Sequence, residues 1–331
     1  MATRLTIRVP RDYVLARDVC SYGYFLLSPS HWDPGTFTYS RVLDVGGAAA
    51  AVRIRQDGDP RVPGWRGVRG RDLLVLCDRG LERREREEAR RQISRMLRLD
   101  EPEETIADFH ARDPRWKPSG RGRLMRSPTF FEDVIKTVTS CNVAWPSTIM
   151  MNTRLCHVLG RGSARTGRAF PTPQKVARTR PGTLRARCRV GYRDRRIVEL
   201  AEMFVAGGKR GGIDPEWFED PATPDDALHA RLLELPGIGP YAAANIMQLL
   251  GRYGRLPLDT ESIRHGRTIL GFEGTDRQVM QQVRAHFAPF GPHAFRSYWF
   301  ELWAFYEAKR GPSWTWERET TGKTFTASQL G

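Results

Sequence analysis

Two neighbouring segments of this chain carry residue types that can do chemistry together. Residues 235–250 read LPGIGPYAAANIMQLL, in which a glycine-rich loop leads through Pro240 into an apolar helical pattern. Free backbone N–H groups at the start of such a helix attract an anion, and glycine lets a ligand approach the backbone closely. Asp259 follows Leu256-Pro257-Leu258, so we expect it at the start of the next helix, beside the loop. The pattern predicts an anion site next to a carboxylate that can stabilise positive charge or activate water.

The net charge indicates which anion to expect. The 331 residues include 53 Lys and Arg against 38 Asp and Glu, a formal charge of +15. Such an excess favours a polyanionic partner, nucleic acid before an anionic membrane. Residues 161–196 hold twelve basic side chains and one acidic side chain, Asp194. We expect this segment, the basic belt, to follow a phosphate backbone through residues that include Arg185, Arg187 and Arg189.

Other classes of protein and site are disfavoured by the sequence. It has no run of about 18 apolar residues, so no membrane span is predicted. The five cysteines are scattered, without spacing typical of zinc or iron–sulfur sites, and we interpret them as reduced thiols of a cytosolic protein. We expect no metal and no cofactor. A structural monovalent or divalent cation is possible at the hairpin, the pair of helices at 223–251 that the glycine-rich loop connects. The expected location is cytoplasmic, on the nucleoid of a bacterium or in the nucleus of a eukaryote.

The elements that must position these residues fall into two regions. Before residue 80 the sequence predicts an antiparallel sheet, with strands at 5–9, 22–27, 37–45, 51–56 and 73–77. Residues 81–99 predict a charged helix. After residue 100 helical patterns dominate, at 130–142, 146–160, 196–208, 223–235, 240–251, 260–270, 276–289 and 293–309.

The predicted fold class is α+β and predominantly α. An N-terminal antiparallel sheet domain with a closing helix is expected at 1–100. A helical body at 101–312 contains the hairpin, 223–251, and a polar tail follows at 313–331.

The hairpin followed by a Leu-Asp step resembles the helix–hairpin–helix (HhH-GPD) DNA glycosylase superfamily. Further segments are similar to the 8-oxoguanine DNA glycosylase branch: Ser140-Cys141-Asn142 with Arg154-Leu155-Cys156, Val190-Gly191-Tyr192-Arg193, and Gly291-Pro292-His293-Ala294. The resemblance covers most of residues 5–310. It implies a sheet domain and then an all-helical body, with the active site in a cleft between helical subdomains.

The resemblance also implies roles for single residues. Asp259 would be the catalytic carboxylate, and Gly237 and Gly239 would bind DNA through their backbone. Asp259 is also typical of an ordinary helix cap, and it can be both. Three residues would contact the opened duplex. Asn142 would enter it, Tyr192 would wedge between its bases, and Arg193 would face the orphaned base.

Aromatic side chains predict a pocket for the extruded base. Tyr241 and Asn245 lie one helical turn apart on one face, as do Trp299 and Trp303 on a later helix. Stacking on aromatic rings suits electron-poor, alkylated purines. The two tryptophans are explained as readily by a place in the core. Weaker candidates for the pocket are Trp145, Tyr22 and Tyr24.

The chain departs from the superfamily pattern at informative positions. Lyase members carry a nucleophilic lysine where Tyr241 stands, and a histidine is common where this chain has Glu261. The four C-terminal cysteines of endonuclease III-type members are absent. The hairpin therefore fits monofunctional members better, including the 3-methyladenine DNA glycosylase II type. Lyase chemistry would need another lysine, such as Lys136 or Lys209, to reach the sugar.

We therefore expect a monomeric, monofunctional DNA glycosylase of base excision repair. It would flip a damaged base, such as 3-methyladenine, out of double-stranded DNA and hydrolyse its N-glycosidic bond to leave an abasic site. One alternative is a glycosylase for oxidised or deaminated bases, with or without lyase activity. The other is a non-catalytic module that senses DNA damage or structure. Asp259 argues against the module, because a hairpin that only binds phosphate needs no carboxylate there.

Overall fold

The computed structural model of the chain describes residues 2–56, 72–163, 166–318 and 321. Helices account for most of these residues. Apart from one pair of two-residue strands, the strands lie before residue 78. The fold is therefore α+β and predominantly α, as the sequence predicts.

The N-terminal sheet is antiparallel throughout, with the order β1-β5-β4-β3-β2. Its strands are β1 Thr3–Arg8, β2 His31–Asp33, β3 Thr38–Val45, β4 Ala48–Gln56 and β5 Asp72–Cys77. In β1, Leu5 and Ile7 face the core and alternate with exposed side chains, which is the period of a half-buried strand. A second antiparallel pair consists of β6 Gly162–Ser163 and β7 Gly167–Arg168.

The strand predicted at 22–27 is wrong. Gly23–Leu26 form a 3-10 turn, and every residue from 22 to 27 is buried. An apolar run without polar alternation is compatible with any fully buried segment, so its pattern cannot distinguish a strand from a turn. One edge of the sheet is β1, and the other is β2, a short strand that was not predicted from the sequence.

The helices begin close to their predicted positions wherever a capping signal is present. They are α1 Leu15–Val19, α2 Arg83–Met96, α3 Glu103–Arg112, α4 Phe130–Ser140, α5 Trp145–Leu159, α6 Pro173–Ala177, α7 Pro181–Thr183, α8 Asp194–Ala206, α9 Pro215–Glu219, α10 Asp225–Leu233, α11 Pro240–Leu249, α12 Thr260–Thr268, α13 Asp276–Phe287 and α14 Ala294–Arg310. Pro240 opens α11 and Asp259 caps α12, as predicted. α10 begins at Asp225 with Pro224 as its N-cap, so Thr223 is not the cap that its sequence pattern suggests. The Thr223 hydroxyl donates to the Trp217 carbonyl oxygen (2.7 Å) and accepts no hydrogen bond from an N–H group of the helix.

The described residues form two hydrophobic cores. The first joins the inner face of the sheet to α14 and draws on residues 5–125 and 249–316, and the second lies among the helices of residues 130–250. The first core contains residues on both sides of residue 100, where the sequence predicts a domain boundary. The division of the chain into separate domains there stays a prediction. Trp316, in the predicted tail, packs on Trp303 with ring centroids 5.3 Å apart, while residues 322–331 lie outside the described ranges.

The described residues contain neither a helix that could span a membrane nor a disulfide. Within them no helix is both long and apolar enough to cross a bilayer. The five cysteines form no disulfide with one another, and four of them are buried, namely Cys20, Cys77, Cys156 and Cys188.

Candidate active site

The glycine-rich loop between α10 and α11 presents its backbone to solvent. Gly237 has φ +77°, a region that favours glycine. Gly237, Gly239 and Pro240 are exposed, while Ile238 is buried in the second core. Nothing lies within 4 Å of the position that a Cβ on Gly239 would take. The predicted helix–hairpin–helix is confirmed, and the exposed backbone of Gly237 and Gly239 leads into the start of α11, where N–H groups without an intrahelical partner attract an anion.

A cavity of about 1000 Å³ opens beside this loop, and we call it the hairpin cavity. Side chains from both cores line it. Its acidic residues are Asp259 and Glu261, and among the described residues no Lys, Arg or His lines it. A protein of net charge +15 thus contains an acidic, aromatic compartment. Its aromatic lining consists of Tyr22, Tyr24, Trp145, Tyr241, Phe295, Tyr298, Trp299, Trp303 and Tyr306.

Asp259 lines the hairpin cavity as the N-cap of α12. Its Oδ1 accepts hydrogen bonds from the backbone N–H groups of Glu261 (3.0 Å) and Ser262 (3.1 Å). Burial raises the pKa of Asp259 and the Glu261 carboxylate raises it further, against the lowering effect of the Ser262 and Glu261 donors. The cap uses Oδ1, and no donor among the described residues reaches Oδ2. One geometry is therefore compatible with both predicted roles of Asp259.

Tyr241 and Trp299, two of the predicted pocket residues, lie on the cavity wall. Tyr241 is in the first turn of α11, and burial together with the Asp259 charge raises the pKa of its phenol. Trp299 donates from Nε1 to the Ser21 carbonyl oxygen (2.8 Å), and its ring centroid lies 4.8 Å from that of Tyr22. Tyr22, a weaker candidate from the sequence, is therefore part of the same aromatic wall.

The other two predicted pocket residues support that wall. Asn245 is 5 % exposed. Its Oδ1 accepts from the Tyr22 hydroxyl (2.8 Å) and its amide nitrogen donates to Thr137 (3.1 Å), so both ends of the amide hold protein groups. Trp303 is 1 % exposed and stacks on Trp299 with centroids 5.3 Å apart. Trp303 is thus packed in the first core and is also part of the cavity lining, so its place is compatible with both alternatives that the sequence left open.

The predicted duplex contacts comprise two exposed residues and one buried residue. Asn142 has φ +53°, is exposed and lines the hairpin cavity, and Tyr192 is 55 % exposed. Arg193 is 4 % exposed, and its guanidinium donates to the carbonyl oxygens of Val138 (3.0 Å) and Cys141, at the end of α4. The prediction that Arg193 faces the orphaned base is wrong, because the unpaired carbonyls of a helix end draw the guanidinium inward.

Arg196 connects the exposed Tyr192 to the hairpin. Its guanidinium carbon lies 5.5 Å from the Tyr192 ring centroid. A Cβ on Gly237 would lie 2.6 Å from Arg196 Cδ, so any side chain at 237 would displace the arginine. The sequence places Arg196 in the basic belt and indicates no separate role for it.

The rest of the basic belt is only partly a free surface. Arg187 and Arg189 are exposed, and so is Arg185, whose guanidinium also holds an ion pair (2.9 Å). At the other end of the belt, Arg161 pairs with a carboxylate of the sheet (3.4 Å). Residues 164 and 165 lie outside the described ranges. The role of the belt in DNA binding stays a prediction.

Neither of the two lysines named for lyase chemistry lines the hairpin cavity. Lys136 is 1 % exposed, and its Nζ lies 2.7 Å from the Glu132 carboxylate and 5.1 Å from the Tyr24 ring centroid. Burial lowers the pKa of Lys136, while Glu132 opposes that shift. Lys209 is exposed in the loop after α8.

Three further residues of the site were not predicted from the sequence, namely Ser262, Tyr298 and Tyr306. Ser262 has a local signal, since Asp-x-x-Ser is compatible with a capping box, which is present. Tyr298 and Tyr306 lie on α14, and their hydroxyls bond to Ser262 (2.9 Å) and to Glu261. No local pattern connects those partners, which are 36 and 45 residues apart.

The chain is similar to known proteins in its structure. No protein-family model and no curated protein sequence matches the chain. The structure of a 3-methyladenine DNA glycosylase from Archaeoglobus fulgidus matches with a TM-score of 0.65 and 19% identity, over 91% of this chain and 98% of that one. The chain shares the fold of that structure.

A second glycosylase has this fold too. The 8-oxoguanine glycosylase/lyase of Clostridium acetobutylicum in its apo form matches with a TM-score of 0.64 and 18% identity, over 90% of this chain and 94% of that one. Its complex with double-stranded DNA containing cytosine opposite 8-oxoguanine matches with a TM-score of 0.62 and 17% identity, over 94% and 99%. The predicted resemblance is confirmed for the fold.

Proposed function

We propose that the chain is a monomeric, monofunctional DNA glycosylase of base excision repair. It hydrolyses the N-glycosidic bond of a damaged base in double-stranded DNA and leaves an abasic site. The observation that carries the proposal is the place of Asp259, a carboxylate on the wall of an aromatic cavity beside the exposed backbone of a hairpin. A module that only binds DNA needs the hairpin but not a cavity of this size with a carboxylate in it.

The hairpin and the exposed Tyr192 prepare the substrate. The open N–H groups of α11 bind a phosphate of the damaged strand. Extruding a base costs a few kcal/mol, least for a damaged or mispaired base. Tyr192 fills the vacated position in the stack, and Asn142 bonds to a base edge. Both residues are exposed, as this requires.

Asp259 acts on the sugar. Cleavage of the glycosidic bond builds oxocarbenium character on the sugar ring, and a fixed carboxylate stabilises that cation. The same carboxylate orients or deprotonates the water that attacks the sugar carbon. Burial, which raises the pKa of Asp259, also strengthens its attraction for the developing cation, because less water screens the two charges.

The cavity lining favours a cationic base, such as an alkylated purine. Aromatic faces attract a delocalised cation, and Asp259 adds negative charge, whereas the Glu261 carboxylate is also paired with Arg264. No basic side chain among the described residues lines the cavity to repel a positive ring. 3-Methyladenine belongs to this class of base. A neutral oxidised base would stack on the same rings without the electrostatic gain.

Tyr241 is the reason for proposing that the strand is left intact. An amine at this position could form an imine with the sugar, whereas a phenol cannot. Burial and Asp259 raise the pKa of Tyr241, so its oxygen stays protonated and a poor nucleophile. No lysine of the described ranges lines the cavity. Tyr241 therefore stacks on or bonds to the flipped base while water takes the sugar carbon.

The test is a panel of duplexes that each carry one lesion: an alkylated cationic purine, hypoxanthine, 8-oxoguanine or uracil. We expect excision of the alkylated purine, strand breaks only after alkali, and no adduct trapped by borohydride. Excision confined to the other lesions supports a glycosylase for oxidised or deaminated bases. Binding without excision supports a non-catalytic module that senses DNA damage or structure. A trapped adduct that survives Tyr241→Phe but disappears in Lys136→Met or Lys209→Met would show that the enzyme is a lyase.

A further inference from the structure

Asp259 belongs to a chain of hydroxyl groups that reaches from α12 to α14. The Ser262 hydroxyl oxygen lies 3.3 Å from Asp259 Oδ1 and 2.9 Å from the Tyr298 hydroxyl oxygen. Ser262 is fully buried and Tyr298 is 3 % exposed. Ser262 also accepts a hydrogen bond from the Asp259 backbone N–H (3.2 Å). The carboxylate is thus held from a second helix as well as its own.

The hydroxyl protons of Ser262 and Tyr298 have one favourable arrangement when Asp259 is ionised. A carboxylate only accepts, so Ser262 donates to Oδ1, and the Ser262 oxygen then accepts from Tyr298. Burial and the Asp259 charge raise the pKa of Tyr298, so its hydroxyl keeps its proton and remains a donor. Hydrogen bonds in a chain that ends on a charge polarise and strengthen one another.

The chain makes the two carboxylate oxygens of Asp259 unequal. Oδ1 accepts from two backbone N–H groups and from the Ser262 hydroxyl. Within the described part of the protein no group donates to Oδ2, and Asp259 lines the hairpin cavity. Rotation that exchanges the two oxygens would break three hydrogen bonds at once, so the inequality persists.

We propose that Ser262 and Tyr298 are positioning residues, which commit Oδ1 of Asp259 to the protein so that Oδ2 alone meets the sugar. The identity of the group that meets Oδ2 rests on the proposed glycosylase function. The hydrogen-bonded chain itself is a property of the free protein. Other titratable groups act on Asp259 and are unchanged in the variants below, namely Glu261, Tyr241, Tyr22 and Cys141.

Tyr298→Phe removes one oxygen and keeps the ring, whereas Ser262→Ala removes the donor itself. We expect both variants to bind lesion duplex as the wild type does. Single-turnover excision should slow by about 10-fold in Tyr298→Phe and about 100-fold in Ser262→Ala, since misplacing a reacting group costs rate and not affinity. The double variant should be no slower than Ser262→Ala, because the tyrosine acts only through the serine. The acid limb of the pH–rate profile should move to higher pH in each.

Tyr253→Phe is the matched control. Tyr253 is also 3 % exposed, stacks on Phe295 of α14, and its hydroxyl bonds to no described residue. We expect the wild-type rate and pH profile for it. A loss in Ser262→Ala that came only from a weakened helix cap would leave Tyr298→Phe unaffected.

The titration of the Asp259 carboxyl group, followed by carbon-13 NMR in the free protein, tests the hydrogen bonds from Tyr298 through Ser262 to Asp259 without any turnover of substrate. Loss of a donor should raise the pKa of Asp259 in both variants. An unchanged titration in Tyr298→Phe overturns the proposal, as does a double variant whose loss is the product of the single losses. A wild-type protein that excises no lesion overturns the proposed function instead, and the titration then still decides whether the positioning chain exists.

Discussion

Tyr192 and Arg193 are adjacent in the chain and face opposite environments. Tyr192 is 55 % exposed, and Arg193 is 4 % exposed. The Arg193 guanidinium carbon lies 4.5 Å from the Tyr192 ring centroid, while its nitrogens donate to the carbonyls that end α4. The arginine therefore supports the tyrosine from inside the protein and ties it to the helix that precedes Asn142.

Tyr192→Ala should slow excision from duplex DNA by about 10-fold more than from single-stranded DNA. Only the duplex needs its vacated position filled, and stacking one base on an aromatic ring is worth about 1–3 kcal/mol. Single-turnover rates on the two substrates, each at saturating enzyme, measure the difference. Trp217→Ala is the control, since Trp217 is an exposed aromatic residue (39 %) that does not line the hairpin cavity. Equal losses on both substrates would contradict the wedge.

Replacing Arg185, Arg187 and Arg189 with alanine should flatten the salt dependence of DNA binding. Each phosphate that a cation neutralises adds about 0.9 to the slope of log K against log salt. Titrations at several salt concentrations should give a slope about 2–3 units smaller, the lower figure if the ion pair of Arg185 keeps it from the phosphates. The control removes the same charge from exposed positions of α2, at Arg83, Arg84 and Arg91. A slope that falls equally in both triple variants would remove the basic belt from the interface.

Asp259→Asn should lower excision by about 10²–10⁴-fold and leave binding to damaged DNA intact. Asparagine keeps the size and the helix cap of the aspartate but lacks the charge that stabilises the sugar cation. Single-turnover rates and equilibrium binding to the same lesion duplex separate the two effects. Excision close to the wild-type rate would rule out Asp259 as the catalytic group.

The same substitution should raise the melting temperature near neutral pH. The pKa of Asp259 is raised in the folded protein above its ordinary value of 3.8. The wild type therefore loses stability as the pH rises from that value through the folded-state pKa, and asparagine avoids the loss. Thermal unfolding at pH values above and below this window measures it. The advantage of the variant should be present at the higher pH and disappear at the lower one, and a difference independent of pH would argue against a raised pKa.

Glu261→Gln should move the acid limb of the pH–rate profile to lower pH and reduce the preference for cationic bases. The Glu261 carboxylate raises the pKa of Asp259, and glutamine keeps its size and an acceptor for Tyr306. Excision of an alkylated purine and of neutral hypoxanthine, compared across pH, gives both quantities. Glu234→Gln is the matched control, because Glu234 pairs with an arginine three residues away, as Glu261 does, but outside the cavity. If the ratio of the two rates is the same in both variants, charge does not select the base.

Local rules predicted the frame of the site, and long-range packing determined the rest. Pro240 at the start of α11 and Asp259 at the cap of α12 follow from preferences that act within a few residues. The hydrogen bond from Tyr22 to Asn245 joins residues 223 apart. The periodicity of the sequence does not indicate such a distant partner. The apolar run at 22–27 was predicted as a strand because nothing local shows that it is a turn buried by these contacts. The burial of Arg193 depends in the same way on where α4 ends.

The aromatic lining of the hairpin cavity limits how the site could be redesigned. Tyr241→Lys would place an amine in a buried position on which the Asp259 charge acts. Burial lowers the pKa of a lysine and a nearby carboxylate raises it, as Lys136 beside Glu132 illustrates in this protein. Only the neutral amine can attack a sugar carbon. The substitution would therefore exchange an aromatic face for a nucleophile whose availability depends on pH.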